Sequence, residues 1–111
     1  MKILTCFIVM LSLYGCVGRN NCELSTQKFD LNLPYEESLD FSFCNINPNY
    51  FQLHFSGELE GDILLLEYYK FSGNGKIDTL ITADYYANEF IFKYSPLGEV
   101  KGDLDFDISL R

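Results

Sequence analysis

The stretch "GDLDFDISLR", residues 102 to 111, limits the possible folds more than any other. Leu104, Phe106, Ile108 and Leu110 alternate strictly with Asp103, Asp105, Asp107 and Ser109. Successive side chains of an extended backbone point to opposite faces, so this period of two predicts a strand with one buried and one wet face. The period recurs along the chain. "KFDLNL" places Phe29, Leu31 and Leu33 on one side, and "SLDFSFC" does the same with Leu39, Phe41 and Phe43. "YFQLHFSG" contributes Phe51, Leu53 and Phe55, and "EFIFKYS" contributes Phe90, Phe92 and Tyr94. "KIDTLITAD" is a weaker case, with Ile77, Ile81 and Ala83 facing inward. "DILLLEYYKF" breaks the rule, because Ile63 to Leu66 is an unbroken apolar run. A central strand covered on both faces fits it best, with a short buried helix as the alternative.

Turn chemistry separates these runs. "NINPN" carries Pro48, "SGNG" offers Gly73-Asn74-Gly75 for a tight hairpin, and "SPLGE" supplies Pro96 and Gly98. No long stretch has helical periodicity. The expected fold is all-β: a small antiparallel β-sandwich of about seven strands, with a small closed β-barrel as the alternative.

The amino-terminal residues follow another logic. In "MKILTCFIVMLSLYGC" a single Lys2 precedes the mostly apolar Ile3 to Gly15. A membrane-spanning helix needs roughly 17–25 apolar residues, so this run has the length of a signal peptide's apolar segment. Leu13 and Tyr14 are too bulky for a general secretory cleavage site. Leu13, Gly15 and Cys16 instead resemble the bacterial lipobox; Tyr14 departs from it, since a smaller residue is usual there. The resemblance covers only these residues. It implies that the Cys16 sulfur receives a diacylglyceryl group, that cleavage precedes Cys16, and that the new amino terminus is acylated. Two or three acyl chains make a lasting anchor, whereas one gives only marginal binding. Residue 17 is Val rather than Asp, which by the same resemblance implies the outer membrane of a diderm host.

If Cys6 leaves with the signal peptide and Cys16 carries lipid, Cys22 and Cys44 remain as a pair in an oxidising compartment, where a disulfide is expected. A zinc site is short of ligands, since these two cysteines and His54 do not make a tetrahedral set. The chain then divides into a signal peptide (1–15), a lipidated amino terminus and short tether (16–27) and one β-domain (28–111).

Without Lys2 the mature chain would carry 7 basic against 16 acidic residues, net −9. That balance argues against nucleic acid, whose phosphates need a basic surface. It also disfavours lying flat on anionic headgroups. Candidate sites are sparse. His54, the only histidine, falls on the polar face of its strand with no serine nucleophile motif in the chain. Asp103, Asp105 and Asp107 share a strand face, and Glu58, Glu60 and Asp62 cluster in "GELEGD", but neither has the wrapping loop that calcium prefers. No catalytic residue, metal ligand or cofactor is therefore assigned. A paired-carboxylate glycosidase is disfavoured by the small domain and the absence of tryptophan.

"ADYYANE" is the most suggestive surface segment. Tyr85 and Tyr86 are adjacent, so only one can readily enter a core, and tyrosine is enriched at recognition surfaces. Tyr85, Tyr86 and Asn88 are the candidate partner-contact residues. The functional expectation is a non-enzymatic, lipid-anchored envelope protein whose acidic β-domain binds another protein in a blocking, inhibitor, immunity or phage-exclusion role. Cell-surface carbohydrate binding and a structural part in an envelope assembly are the rival expectations.

Overall fold

The computed structural model describes residues 22–111; the expected signal peptide, Cys16 and Val17 to Asn21 lie outside the described residues. Six antiparallel strands follow in chain order: β1 (Glu23–Ser25), β2 (Tyr35–Asp40), β3 (Tyr50–Leu65), β4 (Tyr69–Asp84), β5 (Glu89–Pro96) and β6 (Lys101–Leu110). One 3-10 turn, Ser42–Cys44, follows β2.

β3 is the spine. Along one edge it pairs with β4 over its whole length, from Tyr50↔Asp84 to Leu65↔Tyr69. Along the other it pairs first with β6, from Phe51↔Leu110 to Glu60↔Lys101, and then with β5, from Ile63↔Pro96 to Leu65↔Tyr94. β1 extends the sheet beyond β6, and β2 extends it beyond β5. The β3–β4 hairpin thus belongs to two layers, β1-β6-β3-β4 and β2-β5-β3-β4, and curls from one to the other. The all-β expectation holds, and the architecture lies between the sandwich and the nearly closed barrel.

Near the end of the β3–β6 ladder, glycine lets the two strands approach closely. Gly57 and Gly102 have φ of 139° and 134°. A Cβ on Gly57 would meet the Asp103 carbonyl oxygen at 2.1 Å, and one on Gly102 would meet that of Glu58 at 2.0 Å. Only a residue without a side chain allows two backbones to pass this closely.

The core lies between the layers. Phe51, Leu53 and Phe55 of β3 and Leu104, Phe106, Ile108 and Leu110 of β6 face Phe90, Phe92 and Tyr94 of β5 and Leu39 of β2. All are buried, as their alternation predicts. The Phe106 ring lies 4.9 Å from Phe92 and 5.4 Å from Phe55. Fully burying one such side chain contributes about 1.5–3 kcal/mol. Phe29 fills the gap between β1 and β2, stacked on Tyr35 at 4.2 Å. The expected Cys22–Cys44 disulfide is present, with Cα atoms 5.5 Å apart. Closing that 22-residue separation contributes roughly 3 kcal/mol in the chain-entropy view.

Several expectations are corrected. Among the described residues six strands form, rather than about seven: Glu23–Ser25 adds β1, "DILLLEYYKF" is divided between the end of β3 and the start of β4, and "KFDLNL" forms no strand. Asp30 folds the chain back there: its carboxylate accepts the Asn32 N–H at 2.9 Å and its carbonyl accepts the Leu33 N–H at 3.1 Å. Leu31 stays buried, but Leu33 is 58% exposed. Phe43 also points outward, because the Asp40 carboxylate accepts the Ser42 N–H at 2.9 Å and ends β2 in the 3-10 turn. Ser109, expected outside, is buried where β1 pairs across it. Ile63 to Leu66 is not covered on both faces: Ile63 and Leu65 are buried, whereas Leu64 and Leu66 are half-buried. "SGNG" is no turn; it lies inside β4, and Gly73 makes room for the Leu59 side chain. The hairpin turns instead at Leu66 and Glu67, both left-handed (φ 54° and 59°), closed by the Tyr68 N–H donating to Leu65 O at 3.0 Å. Glu23–Ser25, within the stretch expected as tether, forms β1 and pairs with β6.

Candidate functional site

All six strands have one terminus at the same end of the molecule, and the disulfide is there. β2 ends opposite the start of β5 (Asp40↔Glu89), and β4 ends opposite the start of β3 (Asp84↔Tyr50). Hydrogen bonds tie the intervening loops together. The Phe41 N–H donates to Asn88 O at 2.7 Å, and the Tyr85 N–H donates to Asn49 O at 3.0 Å. The Leu110 N–H donates to Cys22 O at 3.0 Å. Tyr85, Tyr86 and Asn88 therefore share this disulfide end with Cys22 and Cys44.

Tyr85 and Tyr86 divide the roles that adjacency forces on them. Tyr85 turns inward, its ring 5.2 Å from Phe90 and 6.1 Å from Phe51, both in edge-on geometry. Its hydroxyl donates to Glu89 O. Burial, with a smaller push from the Glu89 charge, holds its pKa above the usual tyrosine value. Tyr86 turns outward and is 71% exposed. Asn88 is exposed, with its carbonyl engaged by Phe41. Of the three, Tyr86 offers the most free surface. Sequence reasoning missed two companions at this end, Phe43 (61% exposed) and Ile46. Their signal is a charge gap: no Asp, Glu, Lys or Arg occurs from Phe41 to Gly57, nor in Tyr85 to Asn88.

The outer face of β3, β4 and β6 is acidic and internally paired. Lys28 Nζ reaches Asp103 at 2.7 Å and Asp105 at 2.8 Å, and hydrogen bonds to these carboxylates raise its pKa. His54 stands on this polar face, with Nε2 2.6 Å from Asp78 Oδ1 and Nδ1 3.9 Å from Asp107 Oδ2. Ser25 donates a hydrogen bond to Asp107. Glu58 and Glu60 lie on extended β3 rather than in a loop. Among the described residues no group of three or more His, Cys, Asp or Glu is placed to hold a metal ion.

A third feature was not visible in the sequence. β4 pairs with β3 and with no other strand among the described residues, so its far edge is open along sixteen residues. Of its inward apolar residues Ile81 is buried but Tyr69, Phe71, Ile77 and Ala83 are only half-buried, and Leu80 is exposed on the outer face. A wide-open depression of about 420 Å³ adjoins this strand, lined by Ser56, Gly57, Glu58, Lys76, Ile77 and Asp78. Such an edge presents unpaired backbone N–H and C=O groups to any extended partner.

Compared with protein-family models, curated protein sequences and solved structures, the chain shows no match.

Proposed function

We propose that the protein is a lipid-anchored bacterial envelope protein, held by Cys16, whose acidic β-domain binds another protein. The observation that carries the binding reading is the open edge of β4 with its half-buried apolar row. Main-chain hydrogen bonds to an added strand would supply affinity, and the alternating side chains would supply selectivity. The net negative charge favours a cationic partner electrostatically. A blocking role fits this arrangement, because occupying a partner's strand or cleft needs no chemistry from the domain. Inhibition of a secreted enzyme, immunity to a toxin and phage exclusion are all of this kind. The lipobox-like Leu13, Gly15 and Cys16 support the anchor, and Val17 supports the outer membrane.

Carbohydrate recognition has less support. The exposed tyrosines, Tyr68 and Tyr86, lie beyond opposite ends of β4 and form no shared stacking platform. The test is a photo-reactive residue at Leu80 in intact cells, followed by mass spectrometry of the adducts. One defined envelope protein is expected, and Ile77→Lys should abolish the adduct. Glycan binding with no protein adduct would shift the assignment to carbohydrate.

A further inference from the structure

Cys22 lies at the disulfide end, so the chain on its amino-terminal side departs from that end. Only Val17 to Asn21 separate Cys22 from Cys16, and five residues extend to at most about 18 Å. The orientation of the domain on the membrane rests on the proposed acylation of Cys16. With the anchor that close, the disulfide end faces the bilayer and the Leu66–Tyr68 turn points away from it.

The surface at that end has the right chemistry. Phe43, Ile46 and Tyr86 are exposed there, on two loops tied by the Phe41–Asn88 hydrogen bond. Both loops lack charged side chains. The opposite end also exposes Leu33, Tyr68 and Leu97, but there Glu67, Lys70, Glu99 and Lys101 flank the turns. Aromatic rings with a polar edge favour the headgroup level of a membrane, where one side is apolar and the other wet. Among the described residues the exposed charges nearest the loops are Glu23, Asp40, Asp84, Glu89 and Arg111, four of them acidic.

We propose that Phe43, Ile46 and Tyr86 form a lipid-facing foot that seats in the headgroup region of the bilayer holding the anchor, with zwitterionic lipid preferred over anionic. The foot fixes how the domain stands. It occupies the Tyr86 loop with lipid and turns the open edge of β4 and the far turns toward the surrounding compartment.

The chain contains no tryptophan, so one introduced indole reports its own surroundings. Full-length lipoprotein carrying Phe43→Trp or Leu97→Trp, both at exposed positions, is reconstituted into phosphatidylcholine vesicles with brominated acyl chains. The expected result is a blue-shifted emission and loss of intensity for Phe43→Trp, with neither change for Leu97→Trp. Added phosphatidylglycerol should reduce the shift; a larger shift would overturn the lipid preference. Acylated protein that floats with the vesicles yet shows no difference between the two variants overturns the foot alone. A Cys16 found without lipid by mass analysis, in protein that does not float, defeats the anchor and the foot together. An indole shielded in whole envelopes but not in vesicles assigns the end to a protein partner and overturns the proposal.

Discussion

β4 and β6 flank the same strand, carry the same kind of alternation, and end in different states. β6 has β3 on one edge and β1 on the other, and its inward Leu104, Phe106, Ile108 and Leu110 are all buried. β4 has β3 alone, and of its inward apolar residues only Ile81 is buried while Tyr69, Phe71, Ile77 and Ala83 remain half-covered. Period two therefore establishes that a segment is a strand with two unlike faces. How far the apolar face is covered depends on what the rest of the chain stacks over it.

Truncating one inward residue on each strand puts the contrast under the most severe test. Phe106→Ala should cost about 3–5 kcal/mol, because the cavity would open among Phe29, Phe55, Phe92 and Tyr94. Ile77→Ala should cost less than about 1.5 kcal/mol, since its side chain is already partly in water. Urea unfolding of both variants measures the gap, and equal losses would mean that β4 is covered in solution.

Glycine extends the comparison to the backbone. Gly102→Ala should destabilise by more than about 1 kcal/mol, through both its φ of 134° and its collision with Glu58 O. Gly75→Ala on β4 shares the strained φ of 131° but meets nothing within 4 Å, so its loss should be smaller. Thermal melts of the pair separate conformational strain from steric contact.

An alkaline titration probes the roof over β6. The Tyr94 hydroxyl donates to Leu31 O at 2.7 Å, and burial, aided by the Asp30 charge, pushes its pKa up to about 12. The folded state thus keeps a proton that the unfolded chain releases near pH 10, so this contribution is complete below pH 10 and is lost as pH rises toward 12. Tyr35, hydrogen-bonded to Glu37 and also raised to about 12, has the same sign. Tyr94→Phe should cost about 1 kcal/mol at neutral pH and flatten the fall in stability between pH 10 and 12, as pH-dependent unfolding would show.

The smallest effect belongs to the outer face. Asp78→Asn removes the exposed partner of His54 on β4 and should change stability by less than about 1 kcal/mol. A larger loss in chemical denaturation would mean that the polar face helps to hold β4 in place.

These contrasts also mark how much of the fold was legible in the residues. Where a strand has partners on both edges and a layer above it, as in β6 and the first half of β3, alternation named every inward apolar residue correctly. Elsewhere local hydrogen bonds overrode the pattern. Asp30 and Asp40 each accept a backbone N–H two residues on, and so turn Leu33 and Phe43 outward despite their spacing. Glycine misled in a different way. Gly73 and Gly75 suggested a hairpin because glycine permits turns, but Gly73 serves close packing within β4. The real turn uses Leu66 and Glu67, residues with no special preference for left-handed backbone, held by the Leu66 N–H donating to Lys93 O at 2.8 Å. Of the candidate site, Cys22, Cys44 and the Tyr85–Asn88 loop were readable from residue type. Their meeting with Phe43 and Ile46 at one end depends on strand pairing across distant parts of the chain.

That pairing has a consequence for biogenesis. Of the six strands among the described residues β6 comes last in the chain, yet it lies between β1, the first of them, and β3. A ribosome adding about 5–20 residues each second releases β1 through β5 before β6 is complete. Until then Phe55 and Phe92 lack their neighbour Phe106, and β1 has nothing to pair with. The fold cannot close until β6 is available to pair with both β1 and β3.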